Sequence, residues 1–530
     1  MAFLHTVCEV DINFTNVKHV ARNSESILLM QGEIERVMKN RINITGYVKV
    51  DDKSYWCTIN NHQVKFFYGQ IGDSKTNYVY KNDEEYLFGI DESGRSFGVL
   101  AEKDVLKRVN TSSDCNIGLP VFTSFVAPII IRGKPVYSDP INLSVFDRID
   151  FVGETINKIV HPRLAINRMY KGINVYDTGY DEIKNTRESD FSHAPIPSDE
   201  YDKRFNVKID GEEVALVLSY WSGGDGTNSK HNYTPITINS SISLRFFKRQ
   251  PICKIKQHYL SVYDFLCFMT GQKNVDFEVK VFYDGGFVGD CFFLNKDVEP
   301  YEGGCHNTIQ IDDLGDKVTS VFELFASKQR KELRFLPENN SVTNRVTYTD
   351  VYDLCTAFEV EFEKCKESLL EEQGNLEEAK MMSALREHLK STIKEFRDNN
   401  RFKDTLLPQK PSKVEKEQYC NLFSMAFNSI SHIDLSLKEK IFLFFKRTLN
   451  DPDKIPKEKL SEKRNRIATV VDFRNDSTHK GEIGWGECEK AFKPLCGILY
   501  INILINAELE KNVAIKLADK LWYSGGWTRL

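Results

Sequence analysis

The segment "RIATVVDFRNDSTHKG", residues 466–481, holds the side chains of this chain that are best suited to chemistry. Its apolar residues recur at helical spacing: Ile467, Val470 and Val471. The next position of that stripe is Arg474, and an unpaired guanidinium is costly to bury. His479 follows five residues later, and Gly481 is a residue type that often ends helices. We therefore expect Arg474, Asn475 and His479 to gather near one end of a helix.

These three side chains are a minimal set for cutting RNA without a metal. His479 can take the proton of a ribose 2′-hydroxyl, and the same residue type can protonate the leaving 5′-oxygen. Arg474 can neutralise charge on the phosphorane, because its planar fork suits two oxygens. Asn475 can orient a phosphate by hydrogen bonding. One histidine cannot easily serve as base and acid in one turnover, so a two-fold dimer would have to supply the second.

Arg474 and His479 are not the only pair of this kind in the chain. Arg187 and His193 form a second Arg–His pair, with five residues between them instead of four, within a polar, proline-flanked stretch that has no apolar periodicity. We treat that copy as coincidental, because it lacks both the asparagine and the helical context. The cations Arg464 and Arg466 precede Arg474 in the same predicted helix and are candidate RNA-binding residues, whereas Lys463 is expected to be solvated.

A helical pattern runs from about residue 346 to the end of the chain. An apolar stripe at steps of three or four residues predicts a first long helix: Val351, Leu354, Phe358, Phe362, Cys365 and Leu369. A second stripe predicts another: Met382, Leu385, Leu389, Ile393 and Phe396. Ser436 and Glu439 form a capping box that opens a later helix. We expect five or six helices in an antiparallel bundle, the last one long and continuous through residues 491–521.

The first 345 residues read as a mainly antiparallel β region with some helix. Hairpins are predicted around Asp51, around Gly94 and around Gly285, and a helix is predicted from His258 to Gly271. The polar stretch at residues 175–205 is a candidate boundary between two subdomains. The predicted fold class is therefore α+β, with a β-rich region at 1–345 followed by an all-α antiparallel bundle at 346–530.

Composition narrows the class of protein and its partners. The 530 residues are 41% hydrophobic and 28% charged, which is typical of a water-soluble globular protein. The formal net charge of −5 excludes a general basic field for nucleic acid. The 12 cysteines contain no C-x-x-C pair, and no phosphate-binding loop motif is present, so we predict no metal site and no cofactor. Reduced thiols, and the lack of a signal peptide or an uninterrupted apolar span, favour the cytoplasm and no membrane association.

The motif that contains Arg474 and the layout of the chain both resemble known families. "RNDSTH", from Arg474 to His479, is similar to the R-N-x-x-x-H form of the motif of HEPN domains, and it lies late in a helical region of matching size. The whole layout resembles that of the ApeA-type bacterial anti-phage proteins, with vaguer matches in "INITGYVKVDD" and "YLSVYDFLCFMTGQKNVDFEVKVFY".

The resemblance implies a metal-independent endoribonuclease that acts as a homodimer through the helical bundle. It implies that Arg474 and His479 are the catalytic pair and that Asn475 assists. The substrate would be RNA, with tRNA as one candidate, and the N-terminal region would sense an invader, a phage-derived ligand being one candidate trigger. RNA cleavage would then stop the growth of an infected cell.

A second hypothesis belongs to a different class. HEPN bundles without nuclease activity exist, so the chain could instead be a non-catalytic dimer that serves as a binding or regulatory module. Arg474 would then be structural and would pair with Asp472, Asp476 or Glu361.

Overall fold

The computed structural model describes residues 42–50, 53–67, 86–101, 112–113, 120–134, 143–161, 203–223, 237–294, 308–326, 332–338, 346–398, 412–431, 435–449, 452–476, 485–522 and 525–528. Antiparallel strands dominate the N-terminal part and helices dominate the C-terminal part. The predicted α+β layout is confirmed. The candidate boundary at residues 175–205 lies almost entirely outside the described residues, and so does the second Arg–His pair.

The strands of the described residues follow one another in this order: β1 Asn43–Val50, β2 Lys53–Asn60, β3 Gln63–Phe67, β4 Tyr86–Asp91, β5 Ser96–Leu100, β6 Ser112–Ser113, β7 Pro120–Val126, β8 Ile129–Gly133, β9 Val145–Val152, β10 Lys203–Ile209, β11 Glu212–Gly223, β12 Thr237–Pro251, β13 Glu278–Tyr283 and β14 Gly286–Phe293.

The helices are α1 Glu154–Ile159, α2 Ile255–Thr270, α3 Val318–Phe325, α4 Tyr348–Glu372, α5 Leu376–Asp398, α6 Lys413–Ser431, α7 Leu437–Thr448, α8 Lys457–Asp476, α9 Trp485–Asn506, α10 Lys511–Trp522 and α11 Gly525–Thr528. Short 3-10 turns complete the described elements: Ile252–Lys254, Ile311–Lys317, Glu332–Phe335 and Pro452–Lys454.

The chain divides into two compact units. The first contains β1 to β8 and the residues of β14 from Val288 onward, in the order β14-β8-β5-β4-β1-β2-β3-β7-β6. The predicted hairpins β1–β2 and β4–β5 are both present and antiparallel. Gly94 turns the second of them with a φ of 79°, a conformation that glycine adopts at little cost. Inward-facing residues such as Val48, Cys57 and Val99 build its core.

The second unit combines five antiparallel strands with all the described helices. Its strand order is β10-β11-β12-β9-β13. The predicted helix at His258–Gly271 is confirmed as α2, which begins three residues earlier and ends where Gly271 takes a left-handed φ of 69°. The turn at Asp284 and Gly285 has positive φ angles, as the predicted hairpin there requires.

Most of the predicted helical pattern is confirmed. The stripe of the first helix is buried along α4, from Val351 to Leu369. The capping box of Ser436 and Glu439 opens α7. Ile467, Val470 and Val471 are buried on α8.

Two expectations about the helices are wrong. The last helix is not continuous, because Glu508 adopts a positive φ of 65° and separates α9 from α10. With α11, this gives eight described helices after residue 345 instead of five or six. The second predicted helix is confirmed as α5, although Met382, Leu385 and Phe396 of its stripe are 41–48% exposed. Periodicity reveals an apolar face, but it does not reveal what covers that face.

The helices that follow residue 345 share their core with α2. The Tyr500 ring of α9 stacks on Phe268 of α2 with centroids 4.0 Å apart, and its hydroxyl donates to the Phe268 carbonyl. The division between the compact units falls at Ser144 and near Val288, so residue 345 lies inside the second unit. The boundary at 345/346 marks a change of secondary structure in the sequence, and as a domain boundary it stays a prediction.

His258 is a buried histidine on α2 whose two ring nitrogens have no hydrogen-bond partner among the described residues. Its ring packs against Phe246 at 4.6 Å and edge-on against Phe146 at 6.0 Å. Burial, aided by the nearby Lys254 ammonium, lowers the pKa of His258 to about 4, although Glu212 and Asp210 act in the opposite direction. The ring is therefore neutral at pH 7.

This burial predicts an acid-sensitive stability. The unfolded chain binds a proton at this residue below about pH 6.5 and the folded chain does so only near pH 4, so stability falls across that interval as pH is lowered. The loss between pH 7 and pH 5 is about 2 kcal/mol from this residue. Urea unfolding of His258→Leu at the two pH values should show a shallower loss than the wild type. The exposed His388→Leu variant is the control, and an unchanged slope in His258→Leu would contradict the prediction.

Candidate active site around Arg474

Helix α8 presents Arg474 in its last turn, at the edge of an apolar contact. Val470 and Ile467, one and two turns earlier, are at most 1% exposed and face the core. The side chain of Arg474 is 22% exposed, so the position continues the buried stripe as far as its boundary with solvent. Arg474 therefore lies where the apolar stripe of α8 meets solvent, and its guanidinium is not sealed from solvent.

Helix α4 provides the partners of this guanidinium. The two terminal nitrogens of Arg474 donate to the two carboxylate oxygens of Glu359 at 3.4 and 3.3 Å. The guanidinium carbon lies 5.4 Å from the ring centroid of Tyr352, which is a cation–π arrangement. The Tyr348 hydroxyl donates to the Arg474 carbonyl at 3.3 Å. Glu359 and Tyr352 therefore hold the guanidinium itself, and Tyr348 of the same helix holds the backbone of Arg474.

Glu359 is a partner that the sequence reasoning missed. Asp472, Asp476 and Glu361 were the expected candidates, but Glu361 is 4% exposed and bonds elsewhere. Tyr348, Tyr352 and Glu359 stand at positions i, i+4 and i+11 of α4, which place them along one edge of its apolar stripe. This spacing in the sequence indicates that Glu359 shares a helix edge with the two tyrosines.

A thiol lies close to the site but is not reactive. Burial raises the pKa of Cys355 to about 12, and the charge of Arg474 offsets only part of that rise. The thiolate is therefore essentially absent at neutral pH, and Cys355 is unsuited to act as a nucleophile.

The other predicted site residues are placed as follows. Asn475 is exposed beside Arg474. His479 lies outside the described residues, which stop at Asp476, the end of α8, and begin again at Trp485, the start of α9. The relation of His479 to Arg474 therefore rests on their closeness in sequence.

Arg464 and Arg466, the predicted RNA-binding residues, are each paired with a carboxylate. Arg464 pairs with Glu439 of α7 at 3.8 Å and stands 5.3 Å from the Phe442 ring. Arg466 pairs with Glu462 of its own helix at 2.8 Å. At 1.5 Å per residue they stand about 15 and about 12 Å from Arg474 along the helix axis. Each of these arginines is thus paired with a carboxylate, and its role in RNA binding stays a prediction.

The expectation that Lys463 is solvated is wrong. It is 7% exposed, and its ammonium lies 5.0 Å from the Trp527 ring of α11. Desolvation, with help from Arg466, lowers the pKa of Lys463. Trp527 also packs against Phe445 of α7, so the aromatic C-terminal segment docks on the helices. Lys463 belongs to that structural contact.

The described residues contain no group of three or more His, Cys, Asp or Glu side chains placed to hold a metal ion. In the part of the chain that is described, no helix has the length and apolar character needed to cross a membrane.

Comparison with known proteins assigns no family. The chain matches no family model, no curated protein and no solved structure. The candidate site therefore stands on its residues, their contacts and the short motif that contains them.

The pairing of Arg474 with Glu359 predicts a measurable coupling. A two-pronged contact at partial exposure should contribute about 0.5–1 kcal/mol in a double-mutant cycle of Arg474→Ala and Glu359→Ala. The more exposed Arg466–Glu462 pair should give less in a matched cycle. Chemical unfolding of the four variants of each cycle measures both values. A coupling near zero for Arg474 and Glu359 would contradict the described contact.

Proposed function

We propose that the chain is a metal-independent endoribonuclease of anti-phage, abortive-infection type that acts in the cytoplasm. Arg474 and His479 are its catalytic pair and Asn475 assists. The observation that carries the proposal is the fork of Arg474, which already engages two oxygens of one carboxylate at 3.3–3.4 Å in the last turn of a helix, with 22% of its side chain exposed. Two oxygens of a phosphate present the same geometry to a guanidinium.

Each residue has a defined role in this proposal. His479 removes the proton of the ribose 2′-hydroxyl, whose oxygen then attacks the neighbouring phosphorus. Arg474 stabilises the charge that develops on the non-bridging oxygens, and Asn475 holds one of them by a hydrogen bond. A proton delivered to the 5′-oxygen completes the cleavage, leaving a 2′,3′-cyclic phosphate and a 5′-hydroxyl. The chemistry is complete without a metal or cofactor.

The proposal requires a second copy of the chain. Because one imidazole cannot conveniently be base and acid in one turnover, His479 of each protomer serves one of the two roles across a two-fold cleft. The helical bundle is the proposed dimer interface, and RNA, with tRNA as one candidate, is the substrate. The β-rich region is proposed to respond to a phage-derived ligand.

A second candidate function is favoured by one specific observation. Glu359 occupies the fork of Arg474, and carboxylates also engage Arg464 and Arg466. A guanidinium in this state is a structural residue, which suits a non-catalytic dimer that binds a protein or nucleic-acid ligand. In that case ligand binding survives the loss of both Arg474 and His479.

Substitution of the catalytic pair separates the two functions. His479→Ala and Arg474→Ala should each reduce cleavage of total bacterial RNA by at least about a hundredfold, since each removes a group that acts in the transition state. His388→Ala, which removes an exposed histidine from α5, should cleave like the wild type. Cleavage is read on denaturing gels after circular dichroism has shown that all variants fold. Full activity in His479→Ala would overturn the ribonuclease proposal.

Glu359 gives the proposal a more specific test. Its carboxylate diminishes the positive charge that Arg474 can offer to a phosphate, so Glu359→Gln should raise the cleavage rate. A unit charge about 4 Å away in water amounts to about 1 kcal/mol, or about fivefold in rate. Glu363→Gln, on the same helix but paired with Lys440 at 3.2 Å, is the matched control. A rate that falls in Glu359→Gln would show that Glu359 positions Arg474 instead of restraining it.

A further inference from the structure

A cavity of about 360 Å³ opens beside the middle of α4, away from the Arg474 fork. Its walls come from four helices of the second unit, α3, α4, α7 and α9. One wall is apolar, with Phe325 and Ile503 buried at its base. Lys364 and Ser368 are exposed and form its rim. Cavities of this size fall within the usual range for small-molecule sites, about 300–1,000 Å³.

The rest of the lining includes charges of both signs. Glu361 is a carboxylate that is only 4% exposed, and the Asn506 amide donates to it at 2.6 Å. The carbonyl oxygen of the same amide accepts from Arg447 at 2.7 Å, and Arg447 also donates to Glu372 at 2.8 Å. Lys364 stands 3.7 Å from Glu361 on the rim side. A buried carboxylate and two cations therefore converge on one small space.

The backbone of α4 is deformed at this cavity. Cys365 departs from helical geometry, with φ −115° and ψ 16°. Its thiol donates to the Glu361 carbonyl at 3.3 Å, and the Ser368 hydroxyl donates to the Cys365 carbonyl at 3.0 Å. Side chains that bond back to helix carbonyls are a recognised cause of such kinks. The kink belongs to the wall of the cavity, which is the kind of local irregularity that often marks functional positions in helices.

The buried carboxylate, the two cations and the apolar residues of the lining together indicate the chemistry of a ligand. We propose that this cavity binds a small zwitterion with an apolar side chain, of which a free apolar α-amino acid is the type. The ligand ammonium bonds to Glu361, and its carboxylate bonds to Arg447 and Lys364. Its side chain lies against Phe325 and Ile503.

The donor and acceptor capacities fit this assignment. A guanidinium has five N–H donors, more than the two bonds from Arg447 to Asn506 and Glu372 use. An ionised carboxylate offers about four acceptor sites, so the contacts of Glu361 with Asn506 and Lys364 do not by themselves fill it. An apolar side chain suits the cavity because Leu324, Phe325, Ile503 and Ile505 supply the apolar part of its lining.

Calorimetric titration of the full chain with leucine and with phenylalanine tests the proposal. At least one of the two should bind with a one-to-one stoichiometry. N-acetyl-leucine, which lacks the ammonium, and leucinamide, which lacks the carboxylate, should each bind at least about tenfold more weakly, because each loses a charge-assisted contact. Equal binding of leucine and both blocked analogues, or no binding of either amino acid at millimolar concentration, would overturn it.

Variants place the binding in this cavity. Glu361→Gln should weaken binding at least about tenfold, and Lys364→Gln, on the exposed rim, should weaken it without threatening the fold. Glu363→Gln is the matched control on the outer face of the same helix and should bind like the wild type. Unchanged affinity in both Glu361→Gln and Lys364→Gln would overturn the assignment to this site. None of these measurements involves RNA, so their outcome is independent of the ribonuclease proposal.

Discussion

A guanidinium at the edge of an apolar helix contact must be partnered, and this constraint decides how the C-terminal helices present Arg474. The apolar residues that bring α8 against the rest of the unit, Ile467 and Val470 among them, fix the direction in which its last turn points. Helix α4 then supplies Glu359 and Tyr352 at the distances a charged fork requires. The position of Arg474 follows from the packing of α4 and α8, and the chemistry proposed for it depends on that packing.

The same contact explains why one residue supports two functional hypotheses. A fork held by a single carboxylate at 22% exposure is neither sealed nor open. If the carboxylate gives way to a phosphate, the arrangement becomes a centre for stabilising negative charge. If it does not, Arg474 fastens two helices and the motif has a structural purpose. The energy that separates these states is small, since ion pairs at such exposure contribute on the order of 1 kcal/mol.

The sequence predicted those features that depend on local pattern. The apolar stripe of α4, the capping box of α7 and the glycine that ends α2 follow from spacing and residue type alone, and all three are confirmed. Features that depend on partners distant in the chain could not be predicted from the sequence. Glu359 could not be chosen over Glu361 without knowing how α4 is rotated against α8, and the burial of Lys463 depends on Trp527, more than sixty residues away along the chain. The exposed stripe of α5 shows the same limit, because an amphipathic pattern does not name its partner.

The chemistry of the RNA ends tests the ribonuclease proposal most directly. Wild-type protein is incubated with total bacterial RNA in EDTA, and the fragment ends are identified. The proposal predicts 2′,3′-cyclic phosphates and 5′-hydroxyls with the wild type, and their absence with His479→Ala, because attack by the 2′-hydroxyl leaves these ends. Fragments that carry 5′-phosphates, or cleavage that EDTA abolishes, would contradict it.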